Sequence, residues 1–275
     1  MAKKVKTPLS NNTQSVIERI APVHERSVYL AALVYGRSGT GKTVFASSFP
    51  KPLLLLDIRE KGTDSISKVE GVDMVAIEKW EELEEIYWFL EGSKSKYKSV
   101  VLDQVSQMQA LAMEKVRRDE NLEPGDLMNR KLWGSISGMM QQWIFAYRDL
   151  IDKNFHVCMI AHERANETND EIEDQIDPSI GPRVMPSVAS ALNGAVNIIG
   201  NTFIREKFLG EVGKEKTRVV EYGMRIGPHA YYTTKVRRPI EFETPDVLVN
   251  PTFDKLMSIT RGEVSVKRKV LKAKE

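Results

Sequence analysis

The sequence predicts an α/β fold: a mostly parallel central sheet with helices on both faces and an antiparallel β extension near the C-terminus. Three observations carry that expectation. Short apolar runs that end in an acid, Leu53 to Asp57 and Ser99 to Asp103, alternate with segments of helical periodicity, the pattern of buried strands joined by crossover helices. A glycine-rich segment follows the first apolar run, where a strand must turn into a helix. In the last third, Val196 to Phe208, Arg218 to Ile226 and Tyr231 to Arg237 read as strands separated by Gly-Lys and Gly-Pro turns.

Taken in order, residues 1 to 27 read as an N-terminal arm with one weak helix pattern, Ser15 to Ile20, stopped by Ala21-Pro22. The core spans residues 28 to 245 and opens with the apolar strand Val28 to Val34. Thr43 to Ser48 reads as a helix, Leu53 to Asp57 as the second strand and Val72 to Ile77 as the third. From Glu78 to Leu90, Trp80, Leu83, Ile86, Tyr87 and Leu90 recur at helical spacing, and glutamates crowd the start where the macrodipole favours them. Ser99 to Asp103 is again a buried strand, and Gln104 to Arg118 a helix broken by Pro124-Gly125. Trp133 to Lys153 is a long helix leading into the strand Phe155 to Ala161. Residues 246 to 275 form a C-terminal segment with a basic tail.

Composition narrows the class. A chain of 275 residues, 41% hydrophobic, supports one large core. Cys158 is the lone cysteine and lies in an apolar run, so the chain is expected in a reducing, cytoplasmic setting. No apolar stretch approaches the roughly 20 residues that span a bilayer, so no membrane partner is expected. A net charge of +2 excludes an unselective polycation, although lysines and arginines cluster in both tails.

The segment Gly36-Arg37-Ser38-Gly39-Thr40-Gly41-Lys42-Thr43 meets the pattern G-x-x-x-x-G-K-[ST] at every constrained position, with a strand before it and a helix after it. In such a loop successive N–H groups point at one anion, Lys42 reaches the β- and γ-phosphates, and Thr43 offers its hydroxyl to magnesium. The chain is expected to bind a nucleoside triphosphate, with ATP and Mg2+ as cofactors. Asp103, ending a hydrophobic strand, suits the magnesium water shell. Glu60, just past the strand end at Asp57, is the candidate that polarises an attacking water, with Asp57 as the alternative. His162, where the strand Phe155 to Ala161 ends, is positioned to sense the γ-phosphate. The four histidines have no metal-ligand spacing with Cys158, so zinc is not expected.

The order and spacing of these motifs resemble the RecA-like ATPase core over residues 28 to 240. More narrowly, Asp57-Ile58-Arg59-Glu60-Lys61-Gly62-Thr63-Asp64, Ile160-Ala161-His162-Glu163 and the β-rich end are similar to short phage-encoded AAA-domain or nucleotide-binding proteins linked to single-strand annealing recombination. The resemblance implies an ATPase of bacterial or phage-infected cells that assembles as a ring or filament of identical subunits with ATP between them. It implies a basic finger from the neighbour, a role carried to Lys235 and Arg237, whose spacing puts them on one face of a strand. It also implies single-stranded DNA as partner, alongside replication or recombination proteins, through two loops. The first holds Arg117, Arg118, Arg130 and Lys131. The second ends at Arg183, but residues 163 to 177 carry seven acids against Arg164 alone, and such a segment repels a phosphate backbone. Either that loop stays out of the DNA path or this chain does not bind DNA. No Asn-Lys-x-Asp guanine signature or Leu-Ser-Gly-Gly-Gln transporter signature occurs. A small-molecule or nucleotide kinase, and a non-catalytic ATP-dependent assembly switch, stay open as alternatives.

Overall fold

The computed structural model describes residues 20, 22, 28–92, 95–123, 125–165, 180–209 and 217–263. Both basic tails, the expected helix before Ile20 and most of the acidic segment lie outside the described residues. The strands are β1 (Ala31–Gly36), β2 (Leu53–Ile58), β3 (Val72–Ile77), β4 (Ser99–Asp103), β5 (His156–Ala161), β6 (Glu163–Ala165), β7 (Ile180–Pro182), β8 (Ile198–Leu209), β9 (Thr217–Arg225), β10 (Lys235–Val236) and β11 (Val247–Val249). The helices are α1 (Lys42–Ala46), α2 (Trp80–Glu91), α3 (Val105–Asp119), α4 (Arg130–Asp149), α5 (Pro186–Ala195) and α6 (Phe253–Thr260).

One sheet organises the molecule, in the order β3, β2, β4, β5, β1, β8, β9, β11, with β10 also on β8. From β3 to β8 every neighbour is parallel, whereas β9, β10 and β11 pair antiparallel. β1, β2, β4 and β5 are buried along almost their whole length because both faces are covered, whereas β3, at the edge, is largely exposed. Along β1, Leu33 and Tyr35 pack into one core and Ala32 and Val34 into the other, as alternation along a strand requires. The first core holds the apolar sides of α2, α3, α4 and α5; the second holds Phe45 of α1, Phe49 and α6. Cys158 is a fully buried residue of β5.

Three local differences from the sequence reading have physical causes. β8, expected to open the antiparallel extension, instead joins the parallel sheet beside β1, with Ala32 opposite Ile198 and Gly36 opposite Thr202. Of Tyr231 to Arg237 only Lys235–Val236 joins the main sheet. The preceding backbone turns to Ile180 instead: Ile180 N donates to Tyr231 O at 2.8 Å and Thr233 N to Ile180 O at 2.9 Å. Finally, position 245 does not end the packed unit. β11 extends the sheet, and α6 buries Phe253, Leu256, Met257 and Ile259 in the second core, each worth about 1.5 to 3 kcal/mol when fully removed from water.

Candidate active site

The parallel register brings the ends of four strands to one edge. Tyr35 lies level with Ala161, Ile160 with Asp103, and Asp103 with Asp57, so the loops that leave β1, β2, β4 and β5 converge. This is the edge at which open α/β sheets form ligand crevices. The glycine-rich loop leaves β1 there. Gly39 and Gly41 have φ of 78° and 83°, the left-handed region that only glycine enters without strain. Gly36 is required for a different reason, because a Cβ there would lie 2.4 Å from Thr202 Oγ1 and 2.6 Å from Thr202 O. Thr40 Oγ1 donates to Arg37 O at 2.8 Å and lies 2.7 Å from Thr202 Oγ1, pinning the loop to β8.

The first turn of α1 has no side-chain cap, which leaves its N–H groups to an anion. Lys42 is buried, and its Nζ donates to Gly36 O at 3.0 Å and Arg37 O at 2.8 Å. Burial lowers its pKa, against the opposing pull of Asp103, Glu60 and Glu163.

On the acidic side, Thr43 Oγ1 donates to Asp103 Oδ2 at 2.8 Å. Burial pushes the Asp103 carboxyl up to about 6, with Glu60 and Asp57 adding to the rise and the Thr43 bond and Lys42 opposing it. No cluster of three histidine, cysteine or acidic side chains able to hold a metal occurs among the described residues. A hydroxyl touching one buried carboxylate nevertheless fits magnesium, which keeps most of its waters and takes only one or two protein groups beside phosphate oxygens.

Asp57 and Glu60 divide the work at the end of β2. Asp57 is buried, and its Oδ1 accepts from Glu60 N and Lys61 N, both at 2.9 Å. It therefore shapes the turn, while the Glu60 carboxylate faces the cleft. Between Glu60 and His162 sits Gln104, 1% exposed, which the sequence reading passed over as a helix start. Its Nε2 donates to Glu60 Oε2 and lies 2.6 Å from His162 Nε2, and the imidazole is 3.6 Å from Glu60 Oε1. A carboxylate only accepts, so the amide nitrogen must face Glu60, and the same nitrogen then donates to His162 Nε2. His162 is thus neutral with its proton on Nδ1, in keeping with a pKa lowered mainly by burial.

Lys42, Thr43, Glu60 and Asp103 line a single cleft of about 660 Å3 that continues to Tyr222, Asn250, Pro251 and Thr252. A family model, the AAA domain, matches residues 29–238. The chain belongs to this family. No curated protein matches it. As a P-loop NTPase, an AAA domain implies ATP binding and hydrolysis.

Other residues singled out in the sequence lie elsewhere in this AAA domain. Lys235 Nζ donates to Asn193 O at 2.5 Å and Arg237 to Gly194 O at 2.9 Å, so both close the C-terminus of α5, where positive charge opposes the helix dipole. They share a face, as their spacing requires. Arg237 N bonds Asn197 O, and Asn197 N bonds Ala31 O, which puts them level with the start of β1, roughly 16 Å along the strand from its glycine-rich end. They do not reach the cleft of their own chain. Arg117 holds the carbonyls of Glu123 and Asp126 at 3.0 Å each, and Arg118 pairs with Glu81 at 2.5 Å. Those two thus have intramolecular partners, whereas Arg130, Lys131 and Arg183 are exposed. No helix among the described residues is long and apolar enough to cross a membrane.

Proposed function

We propose that the chain is a magnesium-dependent ATPase of RecA-like type, acting in the cytoplasm of a bacterial or phage-infected cell on single-stranded DNA in recombination, annealing or replication. The observation that carries the ATPase reading is the convergence of Lys42, Thr43, Glu60 and Asp103 on one cleft. Lys42 and the loop N–H groups bind the phosphates, Thr43 and Asp103 hold the hydrated magnesium, and Glu60 accepts the proton of the attacking water. Magnesium, when bound, neutralises the charge that develops on the phosphate oxygens. His162 and Gln104 orient the Glu60 carboxylate beside the γ-phosphate.

Two features support assembly and DNA contact. Lys235 and Arg237 lie away from the cleft of their own chain, and Arg237 is exposed, which is compatible with a role in a neighbour's site. Arg130, Lys131 and Arg183 offer exposed positive charge, and phosphate neutralisation of this kind is salt-sensitive. ATP turnover measured with and without single-stranded DNA tests the whole reading. Strong stimulation supports it, and the absence of both stimulation and salt-sensitive DNA binding sinks the DNA role. Mixing Arg237→Ala subunits with Lys42→Ala subunits tests the finger: activity returns in the mixture only if Arg237 serves a neighbour's site.

A further inference from the structure

The phosphate-binding residues make up only part of the cleft. The rest of its lining includes Tyr222, Asn250, Pro251 and Thr252, together with Gly62 and Ser65, and none of these is a cation. Tyr222 projects from β9 and is 43% exposed, so its ring is accessible in the cleft. Its Cδ1 lies 3.3 Å from where a Cβ on Gly41 would stand, which sets the ring against the last glycine before α1.

The segment Asn250 to Thr252 runs beside Tyr222 and is tied down at several points. Asn250 N donates to Tyr222 O at 2.8 Å, and Lys255 Nζ donates to Val249 O and Asn250 O, both at 2.8 Å. Asn250 has φ of 45°, a left-handed conformation that asparagine tolerates better than most residues. Thr252 caps α6, and Phe253 N bonds Ser48 Oγ at 2.8 Å just beyond α1. Residues 250 to 252 are therefore tied at once to β9, α6 and the segment after α1. Asn250 uses both backbone groups within the protein, but its exposed side-chain amide makes no hydrogen bond among the described residues.

We infer that this part of the cleft is a nucleobase subsite, in which Tyr222 stacks on the base and the neighbouring Asn250 amide reads its edge. The inference rests on the proposed ATP site, because a triphosphate gripped at the glycine-rich loop leaves its nucleoside in the remainder of the same cavity. An aromatic ring stacks on any base, whereas an asparagine amide can accept from N6 and donate to N7 of adenine at once. Together they favour adenine nucleotides over pyrimidine nucleotides.

Calorimetric binding of Mg-ADP, Mg-ATP, Mg-CDP and inorganic tripolyphosphate to the full chain separates this inference from the reading beneath it. Tyr222→Ala is expected to weaken ADP roughly 5- to 100-fold and to leave tripolyphosphate unchanged, while Tyr222→Phe keeps wild-type affinity. Asn250→Ala is expected to narrow the preference for ADP over CDP. Unchanged ADP affinity in Tyr222→Ala, or an equal loss of tripolyphosphate, overturns the subsite; the latter outcome reduces Tyr222 to a prop for Gly41. A wild-type chain that binds tripolyphosphate as tightly as Mg-ATP, which carries the same three phosphates, refutes the subsite while sparing the phosphate site. One that binds neither refutes both.

Discussion

Lys42→Ala is expected to weaken ATP and ADP binding by about 2 to 5 kcal/mol, roughly 30- to 4,000-fold in Kd, while the folded chain melts within a few degrees of wild type. The two halves of this expectation have different physical origins. In the folded chain the ammonium rests on two neutral carbonyls, Gly36 O and Arg37 O, in a buried position that lowers its pKa. A triphosphate replaces those carbonyls with anionic oxygens, and charge-assisted bonds in a partly dry site are about twice as strong as neutral ones. All of that gain disappears with the side chain. The apo fold loses little, because alanine is the best helix former, removing a buried charge relieves desolvation, and Arg37 O keeps its bond from Thr40. Calorimetric titration with Mg-ADP, paired with a melting curve, reads both halves. A variant that melts normally and still binds ADP with wild-type affinity would remove Lys42 from the phosphate site.

Lys42 was readable in the sequence because every part of its setting is local: a strand, glycines at fixed offsets and a helix start lie within a short stretch. The same holds for β3 and β4, whose ends coincide with the apolar runs Val72 to Ile77 and Ser99 to Asp103. The positions of Asp103, the last residue of β4, and of Glu60, two residues past β2, were legible because parallel strands deliver their ends to one edge. The rest depended on long-range pairing, to which periodicity is blind. Gln104 looks like an ordinary first-turn polar residue, and only the arrangement of β2, β4 and β5 side by side puts it between Glu60 and His162. Tyr222 reads as one aromatic in a strand until β11 and the turn at Asn250 fold back against it. α6 has a plain amphipathic pattern, yet its place beneath α1 follows from the second apolar face of the sheet, which needs a cover that the short α1 cannot supply alone. Lys235 and Arg237 were correctly given a shared face, but spacing alone does not reveal that this face meets the carbonyls at the end of α5.

Glu60→Gln is expected to lower kcat for ATP hydrolysis roughly 10²- to 10⁴-fold, the usual range for losing a positioned general base, with ADP affinity close to wild type. The substitution is unusually clean here because the amide can satisfy the same neighbour. Its oxygen can still accept from Gln104 Nε2, so the contact between β2 and β4 survives while Gln104 keeps its bond to His162 Nε2. The turn itself is held by Asp57 through backbone N–H groups and does not depend on the Glu60 side chain. What changes is the ability to take a proton from water. Asp57 supplies the control: Asp57→Asn keeps an oxygen for those two N–H groups and should cost far less turnover than Glu60→Gln if Glu60 is the base. Single-turnover hydrolysis with saturating Mg-ATP isolates the chemical step from product release. Wild-type turnover in Glu60→Gln, or a larger loss in Asp57→Asn, transfers the base assignment away from Glu60 and leaves Gln104 and His162 as a packing bridge between β4 and β5.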